Sequence, residues 1–183
     1  MRKQILDKGI FNPITLLILM SIAMPIAFNT WSAMLNNFVV EKAAFTGVEI
    51  GILQSLREVP GFLSFTLIFV LLIIKEQTFA VYSLALLGLG VCLTGFFPTV
   101  YGLYFTTIIM SIGFHYFEAV KQSVSLQWLS KEEAPIVLGR LLAVGSLTSL
   151  IVYGCLWTLL EFFQLPYWIN FAIAGGICIL LAI

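Results

Sequence analysis

Met110-Ser111-Ile112-Gly113-Phe114-His115-Tyr116-Phe117-Glu118-Ala119-Val120-Lys121 lies inside an apolar run from about 100 to 128 and places an imidazole, a carboxylate and an ammonium within two helical turns. A second apolar run, about 47–74, carries Arg57 and Glu58 side by side. Ionisable side chains at bilayer depth are costly unless they face a partner or a water-filled cavity. Their presence therefore marks a candidate solute or proton path, provided that the runs do cross a membrane.

Composition says that they do. Hydrophobic residues make up 61% of the 183-residue chain and charged residues 10%, which leaves a soluble domain too little polar surface. A membrane-crossing helix needs roughly 20 mostly apolar residues. On that criterion the sequence predicts six spans, at about 13–38, 47–74, 77–97, 100–128, 136–160 and 166–183. The formal net charge of zero gives no reason to expect nucleic acid as a partner.

The breaks between runs carry helix-start chemistry. Asn12-Pro13 reads as an N-cap followed by proline at the first helical position. Thr46-Gly47-Val48-Glu49 and Ser130-Lys131-Glu132-Glu133 fit the capping-box pattern, which assigns Glu49 and Glu133 to capping. Phe96-Phe97-Pro98 with Tyr101, and Phe162-Phe163 with Tyr167-Trp168, form aromatic belts at one membrane face, with Trp128 at the other. Cys92, Cys155 and Cys178 fall inside spans without C-x-x-C spacing and read as small apolar residues.

Arg2, Lys3, Lys8, Lys75, Lys131 and Arg140 all fall on one side under alternating topology, and Lys42 falls on the other. The positive-inside rule then makes both termini cytoplasmic in a multi-pass protein of the cell (inner) membrane. The first span is too long for the apolar core of a signal peptide and has no convincing cleavage site behind it, so it reads as uncleaved.

Polar residues are unevenly shared. The third and sixth spans have no charge in their cores and are expected to face lipid, while the first carries Asn29, Asn36 and Asn37. The fifth, with Ser146, Ser149, Tyr153 and the glycines Gly139, Gly145 and Gly154, reads as built for close helix packing. At about 100° per residue, Thr107, Ser111, His115, Glu118, Lys121, Gln122 and Ser125 fall within an arc of about 120°. Gln54, Arg57, Glu58, Gly61 and Ser64 do the same in the second span, and Ser21, Pro25, Asn29, Ser32 and Asn36 occupy roughly 80° of the first.

Such stripes line a cavity or glue a solid bundle. Arg57, Glu58, Glu118 and Lys121 sum to zero, so two buried ion pairs tying the second span to the fourth are the structural alternative to a pathway. Histidine is the side chain that ordinarily titrates near neutrality, which makes His115 a proton-relay candidate with Glu118 one turn on. Enzyme chemistry finds little footing. With one histidine in the chain, His115 and Glu118 supply at most two ligands of a metal site, and Asp7 is the only aspartate. Neither a G-x-S-x-G nucleophile turn nor a phosphate-binding P-loop occurs. The expectation is a non-enzyme with no metal and no cofactor.

Taken together, the pattern resembles the amino-terminal half of a major facilitator superfamily transporter. The likeness covers essentially the whole chain: six spans, polar first and fourth spans, uncharged third and sixth spans, a glycine-bearing fifth span and a short 4–5 connection. Met20-Ser21-Ile22 in the first span recurs as Met110-Ser111-Ile112 in the fourth, and Gly113 to Glu118 with Ser125-Leu126-Gln127-Trp128-Leu129 looks like the fourth helix of divergent bacterial members. The 2–3 loop, Ile73-Ile74-Lys75-Glu76-Gln77-Thr78, departs from the G-x-L-a-D-r-x-G-r-k motif, and the fifth span has no G-P-x-x-G-G run, so drug and proton antiport is not implied.

The resemblance implies an all-α integral membrane fold of six transmembrane helices arranged as two inverted three-helix repeats, about 13–97 and 100–183, within a single domain. One half has nothing to rock against, so a missing carboxyl-terminal half or a second copy of the chain is expected as partner, beside membrane lipid and a small-molecule solute. The chain closes on Leu180-Leu181-Ala182-Ile183 without a polar tail, which reads as a fragment of a protein of about 12 spans. The expected function is secondary active transport of a small polar or charged solute along Asn29, Asn36, Gln54, Arg57, Glu58, His115, Glu118, Lys121 and Gln122. Arg57 and Lys121 would hold an anionic group, and Glu118 or Glu58 a coupling proton. The alternative is a non-transporting membrane scaffold or sensor with closed ion pairs.

Overall fold

A computed structural model describes residues 13–183. Asn12, Asp7 and the basic residues Arg2, Lys3 and Lys8 lie outside the described residues. The described chain is all helical: α1 (Pro13–Ala43), α2 (Gly47–Phe62), a 3₁₀ turn (Leu63–Thr66), α3 (Leu67–Leu71), α4 (Glu76–Thr94), α5 (Val100–Trp128), α6 (Ala134–Glu161) and α7 (Tyr167–Ala182). The second predicted span comprises α2, the turn and α3, so six helical segments form one bundle. Among the described residues, α1, α4, α5 and α6 are each long and apolar enough to cross a membrane, and the protein is a multi-pass helical membrane protein.

Local chemistry sets the helix ends. Thr46 and Glu49 form the expected capping box at α2: the Thr46 hydroxyl accepts from Val48 N–H at 3.2 Å, and the Glu49 carboxylate accepts from Thr46 N–H at 2.8 Å. Thr99 caps α5 through Gly102 N–H, at 3.2 Å. Ser130 and Glu133 do hydrogen-bond, but Ser130 caps a turn ahead of α6, which begins at Ala134 with Pro135 in its first turn. α1 stops at a residue in the left-handed region, Ala44 (φ 53°), and Gln164 (φ 47°) takes the same conformation three residues beyond the end of α6 at Glu161. The next N–H then reaches back, Phe45 to the Val39 carbonyl and Leu165 to the Leu159 carbonyl, each at 3.1 Å.

Packing follows a pattern of exchange. α4 packs on α5 and α7, α1 packs on α6 and α7, and α2 packs on α5. Swapping α1 with α5, α2 with α6 and α4 with α7 returns these same principal neighbours. Ser21 of α1 and Ser111 of α5, from the repeated Met-Ser-Ile triplets, are both buried.

Two expectations about faces need correction. The third and sixth spans, α4 and α7, do present apolar side chains outward, such as Leu89, Ile173 and Ile177, but their other sides are buried against each other and the rest of the bundle. The reason is glycine: a Cβ built on Gly88 would stand 2.7 Å from the Gly175 carbonyl oxygen, so here the two backbones touch. The glycines of the fifth span do not serve this purpose. A Cβ on Gly139 or Gly154 of α6 would meet nothing within 4 Å, and one on Gly145 only just reaches the Ser21 carbonyl at 3.5 Å. α6 is accordingly the least buried of the long helices.

Candidate functional site

α5 is the spine of the site. One flank of its polar stripe holds α2 at the point where the second span breaks. Pro60 has no N–H to continue the helical ladder, and three residues later, at Leu63, the chain winds into the 3₁₀ turn. Carbonyls around that break are taken up by α5 side chains. Ser111 donates its hydroxyl to the Arg57 carbonyl, and Tyr116 donates to the Leu63 carbonyl at 3.2 Å while also meeting the Thr66 hydroxyl. The His115 ring fills the gap beside Gly61, where a Cβ would come within 2.7 Å of its Cε1. Non-helical backbone at membrane depth is tolerated where protein groups satisfy it in this way. The Pro60-Gly61 pair was the sequence signal for this break, which the prediction of an uninterrupted second span missed.

Arg57 and Glu58 sit one turn before the break. The Arg57 guanidinium closes back on its neighbour, with Nη2 and Nε at 2.6 Å and 2.9 Å from Glu58 Oε1. His115 Nε2 lies 3.9 Å from the other Glu58 oxygen. Farther along α5, Lys121 Nζ lies 3.6 Å from Glu118 Oε1 and over the Phe117 ring. Both Lys/Arg–carboxylate pairs are thus formed within one helix and neither ties α2 to α5. The interhelix staples of the structural alternative are absent among the described residues. Glu58 and Glu118 retain 58% and 43% side-chain exposure on the bundle surface at span depth.

The other flank of the stripe opens into a cavity of about 590 Å³ between α1, α5 and α6. Asn29, Glu118, Lys121 and Gln122 line it with Ser21 of the α1 polar stripe, joined by two residues that sequence reasoning assigned to packing, Ser146 and Ser149 of α6. Asn29 donates to the Ser149 hydroxyl at 2.8 Å, linking α1 to α6 across the floor. Ser21 is 2% exposed, and its hydroxyl has no hydrogen-bond partner among the described residues. Phe28 and Phe114 stack in the wall with centroids 4.1 Å apart and planes 13° apart, a contact for which the sequence carried no signal.

The candidate residues therefore divide. Arg57, Glu58 and His115 gather at the break, and Asn29, Glu118, Lys121 and Gln122 line the cavity. Asn36 is exposed near the far end of α1, Gln54 is half-buried on α2, and neither lines the cavity. Arg57 does not line the cavity that holds Lys121, so a joint Arg57–Lys121 anion clamp is not formed in this arrangement. A larger hollow of about 740 Å³, with Lys42 and Trp168 in its lining, lies among the helix ends and contains none of the candidates. Compared with protein-family models, curated proteins and solved structures, the chain matches none.

Proposed function

We propose that this chain is a six-helix half of a secondary transporter for a small polar or charged solute. A second six-helix unit, either a carboxyl-terminal half or a second copy, would complete the cavity. The proposal is carried by one observation: the Lys/Arg–carboxylate pairs at span depth form within single helices and leave two partly exposed carboxylates, Glu58 at the helix break and Glu118 at the polar cavity. Charges kept only as glue would join helices. Charges exposed at that depth need a wet or protein-covered face opposite them.

The exchange pattern of neighbours supports two inverted three-helix repeats, α1 to α4 and α5 to α7, with the first helix of each repeat at the cavity. A broken helix beside the polar stripe is what a carrier uses where backbone must line a path. In this reading the solute sits against Asn29, Glu118, Lys121 and Gln122. Glu58 or Glu118 carries the coupling proton, His115 bridges toward Glu58, and Asn36 and Gln54 lie along the approaches. Lys75, Lys131 and Arg140 face the cytoplasm, as do both chain ends, in the cell (inner) membrane.

The test is gradient-driven uptake by vesicles carrying the protein expressed from its full reading frame, offered labelled anionic, cationic and zwitterionic solutes. Accumulation of one class, lost in Glu118→Ala and Lys121→Ala variants that still fold, supports transport. No uptake of any class under any imposed gradient, with both variants merely less stable, favours the scaffold.

A further inference from the structure

The charges of the cavity restrict its ligand. Glu118 and Lys121 are the charged residues in its lining, one of each sign. A solute with net charge would bring an uncompensated charge to membrane depth, a costly placement. A solute carrying both signs would not. The spacing is also informative: at 3.6 Å the Glu118–Lys121 contact is longer than the roughly 2.7–2.9 Å of a closed charge-assisted hydrogen bond. Both side chains leave α5 on one side, three residues apart, so each is free to exchange its partner for a solute group.

The rest of the wall has two characters. Asn29, Gln122 and the unpartnered Ser21 hydroxyl supply hydrogen bonds, while the Phe28–Phe114 stack and the α6 leucines Leu138 and Leu141 supply an apolar surface. An α-amino acid with an apolar side chain presents this combination: an ammonium and a carboxylate on one carbon, and a hydrocarbon beside them.

We infer that the cavity between α1, α5 and α6 binds a zwitterionic α-amino acid, its ammonium at Glu118, its carboxylate at Lys121 and its apolar side chain against Phe28 and Phe114. This rests on the transport reading and narrows its substrate class.

The test measures thermal protection of the purified protein against concentrations of L-leucine, its N-acetylated anion and its cationic amide. Leucine protects, and each blocked analogue binds about tenfold more weakly or worse, since each lacks one charge-assisted contact. Glu118→Gln abolishes the preference for leucine over the N-acetylated anion, and Lys121→Gln abolishes the preference over the amide. A merely structural role for either residue would leave these preferences intact. Should Glu118→Gln not fold, Glu118→Asp withdraws the carboxylate by one methylene and weakens leucine without losing its preference. Equal protection by leucine and either analogue overturns the zwitterion assignment while leaving solute binding standing. Protection by none of the three also overturns it, and the uptake experiment then decides separately whether another solute is carried.

Discussion

Placing a methyl group on Gly88 tests the packing that holds the cavity helices in place. The new Cβ would stand 2.7 Å from the Gly175 carbonyl oxygen, 2.9 Å from Ile179 Cγ1 and 3.2 Å from Cys178 Cβ. With ordinary contact beginning near 3.4 Å, α4 and α7 must part by about 0.7 Å at the carbonyl. Backbone cannot swing aside as a side-chain tip can. Overpacking of this kind costs about 1–3 kcal/mol, and alanine returns up to about 1 kcal/mol of helix propensity relative to glycine. Because the clash is with backbone it takes the upper part of that range, about 2–3 kcal/mol, and the net loss for Gly88→Ala is about 1–2 kcal/mol. For a chain of this length, 1 kcal/mol shifts the midpoint by about 2–4 °C, so the fall is about 2–8 °C. Tryptophan fluorescence during thermal unfolding in detergent reads it. Gly139→Ala and Gly154→Ala are the comparison, because their Cβ atoms meet nothing within 4 Å and the midpoint should hold or rise. A Gly88→Ala protein as stable as the parent, or a Gly154→Ala protein that falls as far, would refute the packing described for α4 and α7.

Ala44→Gly relieves a left-handed alanine at the end of α1 (φ 53°), and the same unfolding assay should show a gain of about 0.5–1 kcal/mol. Asn29→Ala removes the side-chain bond from α1 to Ser149; a loss of about 0.6–1.7 kcal/mol is expected, with faster hydrogen exchange confined to α6. Ser111→Ala strips the hydroxyl from the Arg57 carbonyl at the broken span and should cost about 1 kcal/mol, whereas Ser55→Ala, whose hydroxyl bonds within α2, should be nearly silent.

Much of the architecture could be read from the residues, since the signals were local. Apolar runs long enough to span, broken near Thr46, Phe96-Phe97-Pro98, Ser130 and Phe162-Phe163, place the helices close to where they lie, and the fourth span coincides with α5. Tertiary choices were not legible. Gly88 and Gly175 look no different in sequence from Gly139 and Gly154, yet only the first pair brings two backbones into contact. Arg57 had a carboxylate beside it and another in α5, and the chain chose the neighbour. Ser146 and Ser149 were expected to pack, but α6 stands far enough from α5 to leave them in the cavity. The polar stripe of α5 was correct as a stripe; that its two flanks serve a helix break and a cavity depends on which helices lie beside it.

Water access at membrane depth decides the central claim. With Cys92, Cys155 and Cys178 replaced by alanine, single cysteines from Ser146→Cys and Gln122→Cys on the cavity side, and from Ile173→Cys and Leu180→Cys on the outward face of α7, are exposed in intact membranes to a small charged thiosulfonate. The thiolate forms only where water reaches. The account predicts rapid modification at 146 and 122, with 173 and 180 protected by lipid. Protection at 146 and 122 equal to that at 173 and 180 would contradict it.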